Sequence, residues 1–167
     1  VVNTCLKKVE IMPTNNITRF LDSRDVPYTV FTLPGHKLGA EETARELNVP
    51  VERVYKSIIV ERKERGKPIV AVVPGHKEVD LKALAKALGE KKVTAATQAK
   101  AEKLTNLQAG GISPLALIHQ GFDILLDESA RTHQEIHVSG GELGLNIRLP
   151  VDDLVRVTGA QVAAISR

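Results

Sequence analysis

At 167 residues, with 43% apolar and 26% charged side chains, the chain is long enough for one domain with its own core and is too apolar to be a disordered polyelectrolyte. Aromatic residues are only 3%, with no Trp, so the core must be built from Val, Leu, Ile and Ala, and a protein that stacks many unpaired bases is disfavoured. The net charge of +3, from 23 Lys+Arg against 20 Asp+Glu, permits a polyanionic partner without demanding one.

Residues 1–13 read as an N-terminal tail and residues 14–167 as one domain. The opening segment carries Lys7, Lys8 and Glu10 and has no long apolar run, which is not the pattern of a signal peptide. No stretch approaches the roughly 20 apolar residues needed to cross a bilayer. The lone cysteine, Cys5, excludes an internal disulfide and a cysteine zinc cage and fits a reducing cytoplasm. A catalytic thiol there would need a structured electropositive site, which this segment does not offer.

Ile17, Phe20 and Leu21 recur at helical spacing, with Asn15 or Asn16 as cap. Tyr28 to Leu33 reads as a strand. Ala40, Ala44 and Leu47 mark a helix stopped before Pro50. Lys56 to Glu61 and Pro68 to Val73 read as two strands of a hairpin joined by the polar stretch Arg62 to Lys67. Asp80 caps a helix carrying Leu81, Leu84 and Leu88, which Gly89 ends. Lys91 to Thr94 is a short strand and Thr97 to Leu104 a short helix. After the breaker cluster Gly110-Gly111-Ile112-Ser113-Pro114 come strands at Asp123 to Leu126, Glu135 to Ser139 and Leu145 to Leu149, read as a meander. A last helix starts near Pro150, with Asp152 and Asp153 in its first turn. Helices and strands mix without a βαβ rhythm, which predicts an α+β fold with a curved mixed sheet.

The chemistry-bearing residues are few. There is no Walker loop, no G-x-S-x-G elbow and no H-E-x-x-H. His133 and His137 stand four apart, but Ile136 and Val138 put His137 on a strand, where four residues span roughly 13 Å, so no metal site is expected. Asp152 and Asp153 could act as an acid–base pair, although helix N-terminal charge explains them more simply. Gly110-Gly111 and Gly140-Gly141 could each bare backbone N–H groups to an anion or carbonyl, or could simply turn the chain. Lys56 opens the apolar run Tyr55-Lys56-Ser57-Ile58-Ile59-Val60. It either snorkels at a sheet edge or points into a pocket, and the pattern leaves both open.

Taken in order, Val54-Tyr55-Lys56-Ser57, Asp80 to Gly89, Gly110 to Leu115, Ile136 to Gly141 and Gly144-Leu145 make the chain resemble the YbaK/EbsC family, kin to the editing domain inserted in bacterial prolyl-tRNA synthetases. The resemblance runs from about Ile17 to the C-terminus. It implies a single α+β domain with a barrel-like curved mixed sheet flanked by helices. It also implies a free-standing cytoplasmic hydrolase, without cofactor or metal, that deacylates mischarged tRNA(Pro). Cys-tRNA(Pro) is the expected substrate, with Ala-tRNA(Pro) in related members. The partners implied are tRNA and, as a candidate, prolyl-tRNA synthetase, with no membrane. By the same resemblance Lys56 is the functional lysine, and Ser57, Gly110, Gly111 and Ser139 line the substrate pocket. Leu33 and Leu38 fall where Cys-specific relatives carry Tyr and Phe. Asn106 replaces a Gly, and Ala116-Leu117-Ile118-His119 lacks two lysines that those relatives carry. A non-catalytic module that holds tRNA or a synthetase is the alternative, and a hydrolase of small acyl esters a third reading.

Overall fold

The computed structural model describes residues 14–167. The predicted tail 1–13 and Cys5 lie outside the described residues. Helix α1 (Asn16–Ser23) begins where Asn15 caps it, its side chain accepting from Thr18 N–H while Thr18 Oγ1 accepts from Asn15 N–H. Strand β1 (Thr29–Thr32) follows, then α2 (Ala40–Leu47), which Asn48 ends in the left-handed region at φ 55°. A single 3-10 turn over Val51–Arg53 delivers the chain into β2 (Tyr55–Arg62), which pairs antiparallel with β3 (Ile69–Pro74) as the hairpin pattern predicts. Asp80 caps α3 (Leu81–Leu88) and Gly89 ends it; β4 (Val93–Ala95) and α4 (Gln98–Thr105) follow. The remainder is α5 (Pro114–Leu117), β5 (Asp123–Asp127), β6 (Glu135–Ser139), β7 (Leu145–Pro150), α6 (Val151–Thr158) and β8 (Gln161–Ala163).

The α+β class stands, but the strands divide between two sheets in place of one barrel-like sheet. The order is β1-β7-β6 in one and β4-β2-β3-β5-β8 in the other. The predicted meander is also corrected. Only β6 and β7 form an antiparallel pair, whereas β5 joins the larger sheet parallel to β3 and to β8. The reason is burial. Ile124, Leu125 and Leu126 are all buried, without alternation, as befits a strand covered on both faces, and a parallel partner needs the long crossover that α3, β4, α4 and α5 supply. Periodicity marks such a strand but does not name its neighbour.

The five-stranded sheet is the middle layer. Val70 and Val72 of β3 pack into the larger core with Ile136, Val138, Ile147 and Leu149 of the smaller sheet and with Ile17, Leu21 and Leu154. Ile69, Ala71 and Val73 pack on the other side against Leu84 and Ala85 of α3 and against Ile165. Among the described residues no helix is long and apolar enough to cross a membrane.

Asp127 ties the far end of this layer together. It is 3% exposed, and its carboxylate accepts from Ile165 N–H at 2.9 Å and from the Ser129 hydroxyl. The Tyr55 phenol meets Ser129 Oγ at 2.9 Å, so β2, β5 and the C-terminal segment share one hydrogen-bonded chain. Burial pushes the Asp127 carboxyl up, but the hydrogen bonds from Ser129, Ile165 and Ser166 outweigh it and hold the group below its ordinary value. A depressed carboxyl stabilises the fold above its unfolded pKa, and the stabilisation is lost as pH falls through the folded value. Asp127→Asn is therefore expected to cost about 1.5–3 kcal/mol near pH 7. The gap to wild type should narrow below roughly pH 4. Urea denaturation at both pH values measures it, and an equal gap at both would refute the assignment.

Candidate functional site

One edge of β2 pairs with β3 along its length, Tyr55↔Pro74 through Val60↔Ile69. The other edge is shared. It touches β6 through the isolated Val54–His137 bridge and pairs with β4 only from Val60 to Arg62. Between those contacts the sheets part, and a cleft of about 530 Å³ opens. Its walls are the β2 segment Val54 to Ile59, the loop Leu33 to Gly39, Gln98 and Ala101 of α4, the Ala109-Gly110 turn, and Ser139 with Leu143 to Asn146.

Of the residues singled out in the sequence, Lys56, Ser57, Gly110, Ser139, Leu33 and Leu38 all line this cleft. Lys56 is half-buried, and among the described residues no carboxylate lies within ion-pair distance of it. The lining includes Lys37, Lys56 and His36 and no Asp or Glu, so the cleft favours an anionic or carbonyl-bearing ligand. The two glycine motifs meet here. Ser139 Oγ–H donates to Gly110 C=O at 3.3 Å, and Asn15 Nδ2–H donates to Gly140 C=O at 2.9 Å, fastening both loops to one rim. Leu33 N–H donates to Gly144 C=O at 2.7 Å and holds the Leu33–Gly39 loop to the same rim.

Gly111 stands apart. It is buried, does not line the cleft, and spends its N–H on Gln108 C=O at 2.8 Å. A Cβ there would lie 3.0 Å from the Glu142 carbonyl carbon, so the missing side chain serves the packing of two loops. Gly111, expected from the resemblance to contact substrate, is thus not brought to the cleft wall with the other residues. Asp152 and Asp153 lie at the start of α6, where Asp153 pairs with Arg156 at 2.9 Å, and neither lines the cleft.

Two polar residues of the site escaped the sequence. Asn146 sits directly opposite Ser139 on β7 and lines the cleft. Behind it, His137 is 1% exposed, with Nδ1 2.8 Å from Asn146 Oδ1 and its ring 5.4 Å from that of Phe31. Burial pushes the imidazole below its ordinary value; the Asn146 hydrogen bond opposes this, Arg148 and Arg53 reinforce it, and Glu135 opposes it. The ring is therefore neutral near pH 7, and its Nδ1–H donates to Asn146. An alternating polar residue in Leu-Asn-Ile-Arg-Leu reads as the solvent face of a strand, and nothing in that pattern distinguishes a cleft from solvent.

Residues 35–157 match the aminoacyl-tRNA editing domain family. The chain belongs to this family. It is 33% identical over 163 residues to the "Putative Cys-tRNA(Pro)/Cys-tRNA(Cys) deacylase EbsC" of Enterococcus faecalis (strain ATCC 700802 / V583), covering 96% of this chain and 98% of that one. Two crystal structures share its fold. "Hypothetical protein APE2540" superposes with a TM-score of 0.84 at 22% identity, covering 92% of this chain and 100% of that one. "A putative trans-editing enzyme for prolyl tRNA synthetase" gives 0.75 at 23% identity, covering 93% and 99%.

Two of the positions that the resemblance marks as departures have plain local roles. Asn106 caps α4 in the left-handed region at φ 57°, a conformation that Asn tolerates best after Gly, so it sits there with little strain. In the run Ala116 to His119, Leu117 is fully buried and the His119 ring packs edge-on against Phe20 at 5.6 Å. None of these four residues lines the cleft.

Gly110 has φ +90°, and a Cβ would sit 2.6 Å from Leu143 Cδ2. Gly110→Ala is expected to destabilise by about 1–3 kcal/mol and to displace the turn from Ser139. Denaturation together with amide chemical shifts of residues 108–113 and 139–144 checks this. Unchanged shifts at Ser139 would show that the two loops are not coupled.

Proposed function

We propose that this chain is an aminoacyl-tRNA deacylase that hydrolyses mischarged tRNA(Pro) in trans, acting first on Cys-tRNA(Pro) and secondarily on Ala-tRNA(Pro). The observation that carries the reading is the convergence of Lys56, Gly110 and Ser139 on one cleft with two lysines and no acid on its wall. Membership of the editing family supplies the class of substrate, and the name of the Enterococcus relative points to cysteinyl esters. Action in trans is supported by the near-complete coverage of a structure described as a trans-editing enzyme for prolyl tRNA synthetase. A cytoplasmic setting fits that substrate, and the name of the same neighbour makes that synthetase the candidate partner.

The chemistry asks little of the protein. An aminoacyl ester is already activated, so placing it beside a nucleophile and stabilising the carbonyl oxygen can suffice. Lys56 holds the phosphate or ester region of the 3′ end by a charge-assisted contact. Ser57, Gly110 and Ser139 confine the acyl group, and Leu33 and Leu38 give it an aliphatic wall. For a cysteinyl ester the substrate's own thiol attacks the acyl carbon, the ester C–O bond breaks, the thiol proton passes to the departing ribose oxygen of the tRNA, and water then opens the thiolactone to free cysteine. For other esters water attacks directly and gives the free amino acid and the tRNA hydroxyl.

Lys56→Ala is expected to lower kcat/KM for the preferred aminoacyl-tRNA by about tenfold to a hundredfold, the equivalent of losing about 1.5–3 kcal/mol, while the fold stays intact. Steady-state deacylation with a circular dichroism control measures it, and activity within about twofold of wild type would remove Lys56 from the reaction.

The substrate is settled by initial rates on Cys-tRNA(Pro), Ala-tRNA(Pro), Pro-tRNA(Pro) and Cys-tRNA(Cys). An aliphatic wall separates small apolar groups only weakly, because one methylene is worth about 1–3 kcal/mol. The expected order is Cys-tRNA(Pro) above Ala-tRNA(Pro), with Pro-tRNA(Pro) spared. A fastest rate on Pro-tRNA(Pro), or no hydrolysis of any of the four, would overturn the reading.

A further inference from the structure

Hydrogen-bond parity along β2 identifies which backbone groups look into the cleft. In an antiparallel pair, residues alternate between those that exchange N–H···O bonds with the partner and those whose N–H and C=O point the other way. Gly75 N–H donates to Val54 C=O at 2.7 Å, which puts Val54 in a bonded pair. With the register Lys56↔Val73, Ile58↔Ala71 and Val60↔Ile69, the even residues therefore face β3. The odd residues Tyr55, Ser57 and Ile59 face the opposite edge. An independent contact agrees, since Ala96 N–H reaches Ile59 C=O at 2.9 Å from the β4 side. On that edge the Val54–His137 bridge ends before Ser57 and β4 begins after it. Ser57 is left between them, on the cleft wall, with one N–H and one C=O side by side and no strand opposite.

We propose that the Ser57 main chain is the docking site for a single α-aminoacyl group, its C=O accepting from the α-ammonium and its N–H donating to the acyl carbonyl oxygen. This rests on the deacylase reading and names what that cleft recognises. The gap is one residue deep. Residues 56–58 span roughly 10 Å of strand, and only Ser57 among them turns both polar groups outward, so an amino acid fits where an added peptide strand would collide with β4 or β6. The charge pattern points the same way. An α-ammonium needs acceptors, and with no Asp or Glu on the cleft wall those acceptors must be neutral oxygens, of which Ser57 C=O stands on an unpaired edge.

Four measurements test it. In the free protein the Ser57 amide should exchange with solvent faster than those of Lys56 and Ile58, which bond to β3. Equal protection of the three would overturn the parity argument whatever the enzyme does. On adding 3′-deoxy-3′-(alanylamido)adenosine, a nonhydrolysable amide analogue, Ser57 exchange should slow by about tenfold or more. If Gly110 and Ser139 shift while Ser57 does not, the cleft binds the ligand but the docking proposal fails. Lactyl-tRNA(Pro), which carries a hydroxyl in place of the ammonium, should show a KM at least about tenfold above that of alanyl-tRNA(Pro). Equal KM values would exclude the ammonium contact. Ser57→Pro removes an N–H that β3 does not use, together with the hydroxyl, so Ser57→Ala is the control for the side chain; relative to Ser57→Ala, Ser57→Pro should lower kcat/KM at least about tenfold with little change in Tm. Wild-type activity in that variant would overturn the N–H contact, and if the variant does not fold the exchange experiment on the wild-type chain decides. Failure of the deacylase reading looks different: no aminoacyl-tRNA is hydrolysed and the analogue moves no resonance in the cleft, and the docking proposal then falls with it.

Discussion

The structure turns on how β2 is paired. A strand in the middle of a sheet normally has both edges occupied, because an unpaired buried N–H or C=O costs more free energy than most single contacts return. Here β3 occupies one edge of β2 from Tyr55 to Val60, while the other edge is handed from β6 to β4. The handover is incomplete because the two neighbours belong to different sheets that diverge from Val54 onward. The cleft is the space left by that divergence, and water or a ligand must satisfy the backbone that lines it.

Keeping such a gap open without letting the sheets drift apart requires ties around its rim, and these are polar and local. Asn15 reaches Gly140, Ser139 reaches Gly110, and Leu33 reaches Gly144, so α1, the loop before α2, the α4–α5 loop and the β6–β7 turn share one border. At the start of β2, Asp127, Ser129 and Tyr55 fix the strand to β5 and to the chain end. β2 is thus held firmly near its start while the residues just beyond it face open space. A binding surface built from a strand held at both ends loses little conformational entropy when a ligand arrives.

Much of this was legible in the sequence where the signal is local. A cap at Asn15 or Asn16, which the structure places at Asn15, the cap at Asp80, the stop at Gly89 and the hairpin of β2 with β3 followed from short-range rules. The division into two sheets was not legible, because β5, β6 and β7 have similar composition and their partners are set by the crossover from β3 to β5. In the cleft, Lys56 carried a signal because a charge opening an apolar strand is out of place. Asn146 and His137 carried none, since a polar residue alternating with apolar ones looks the same whether it faces solvent or a cleft. Gly111 does not share the cleft wall with Gly110. Two adjacent glycines suggest two exposed backbones, yet one turns towards the cleft and the other packs beneath Glu142.

The His137–Asn146 pair shows what a neutral buried imidazole contributes. A charged His137 would sit against Arg148 and Arg53 with only Glu135 to offset them, in a site sealed from water. The neutral ring avoids that cost and, with Nδ1–H aimed at Asn146 Oδ1, fixes the amide so that its Nδ2 group is the part left for other partners. Among the described residues that group has no hydrogen-bonding partner, and it is not among the sealed polar atoms. Asn146 stands opposite Ser139, whose hydroxyl is already committed to Gly110. On this wall the free donors are therefore an amide and a lysine rather than a carboxylate. That arrangement suits the carbonyl and phosphate oxygens of an ester at the end of a nucleic acid, and it leaves acceptors for an amine to the main chain of β2.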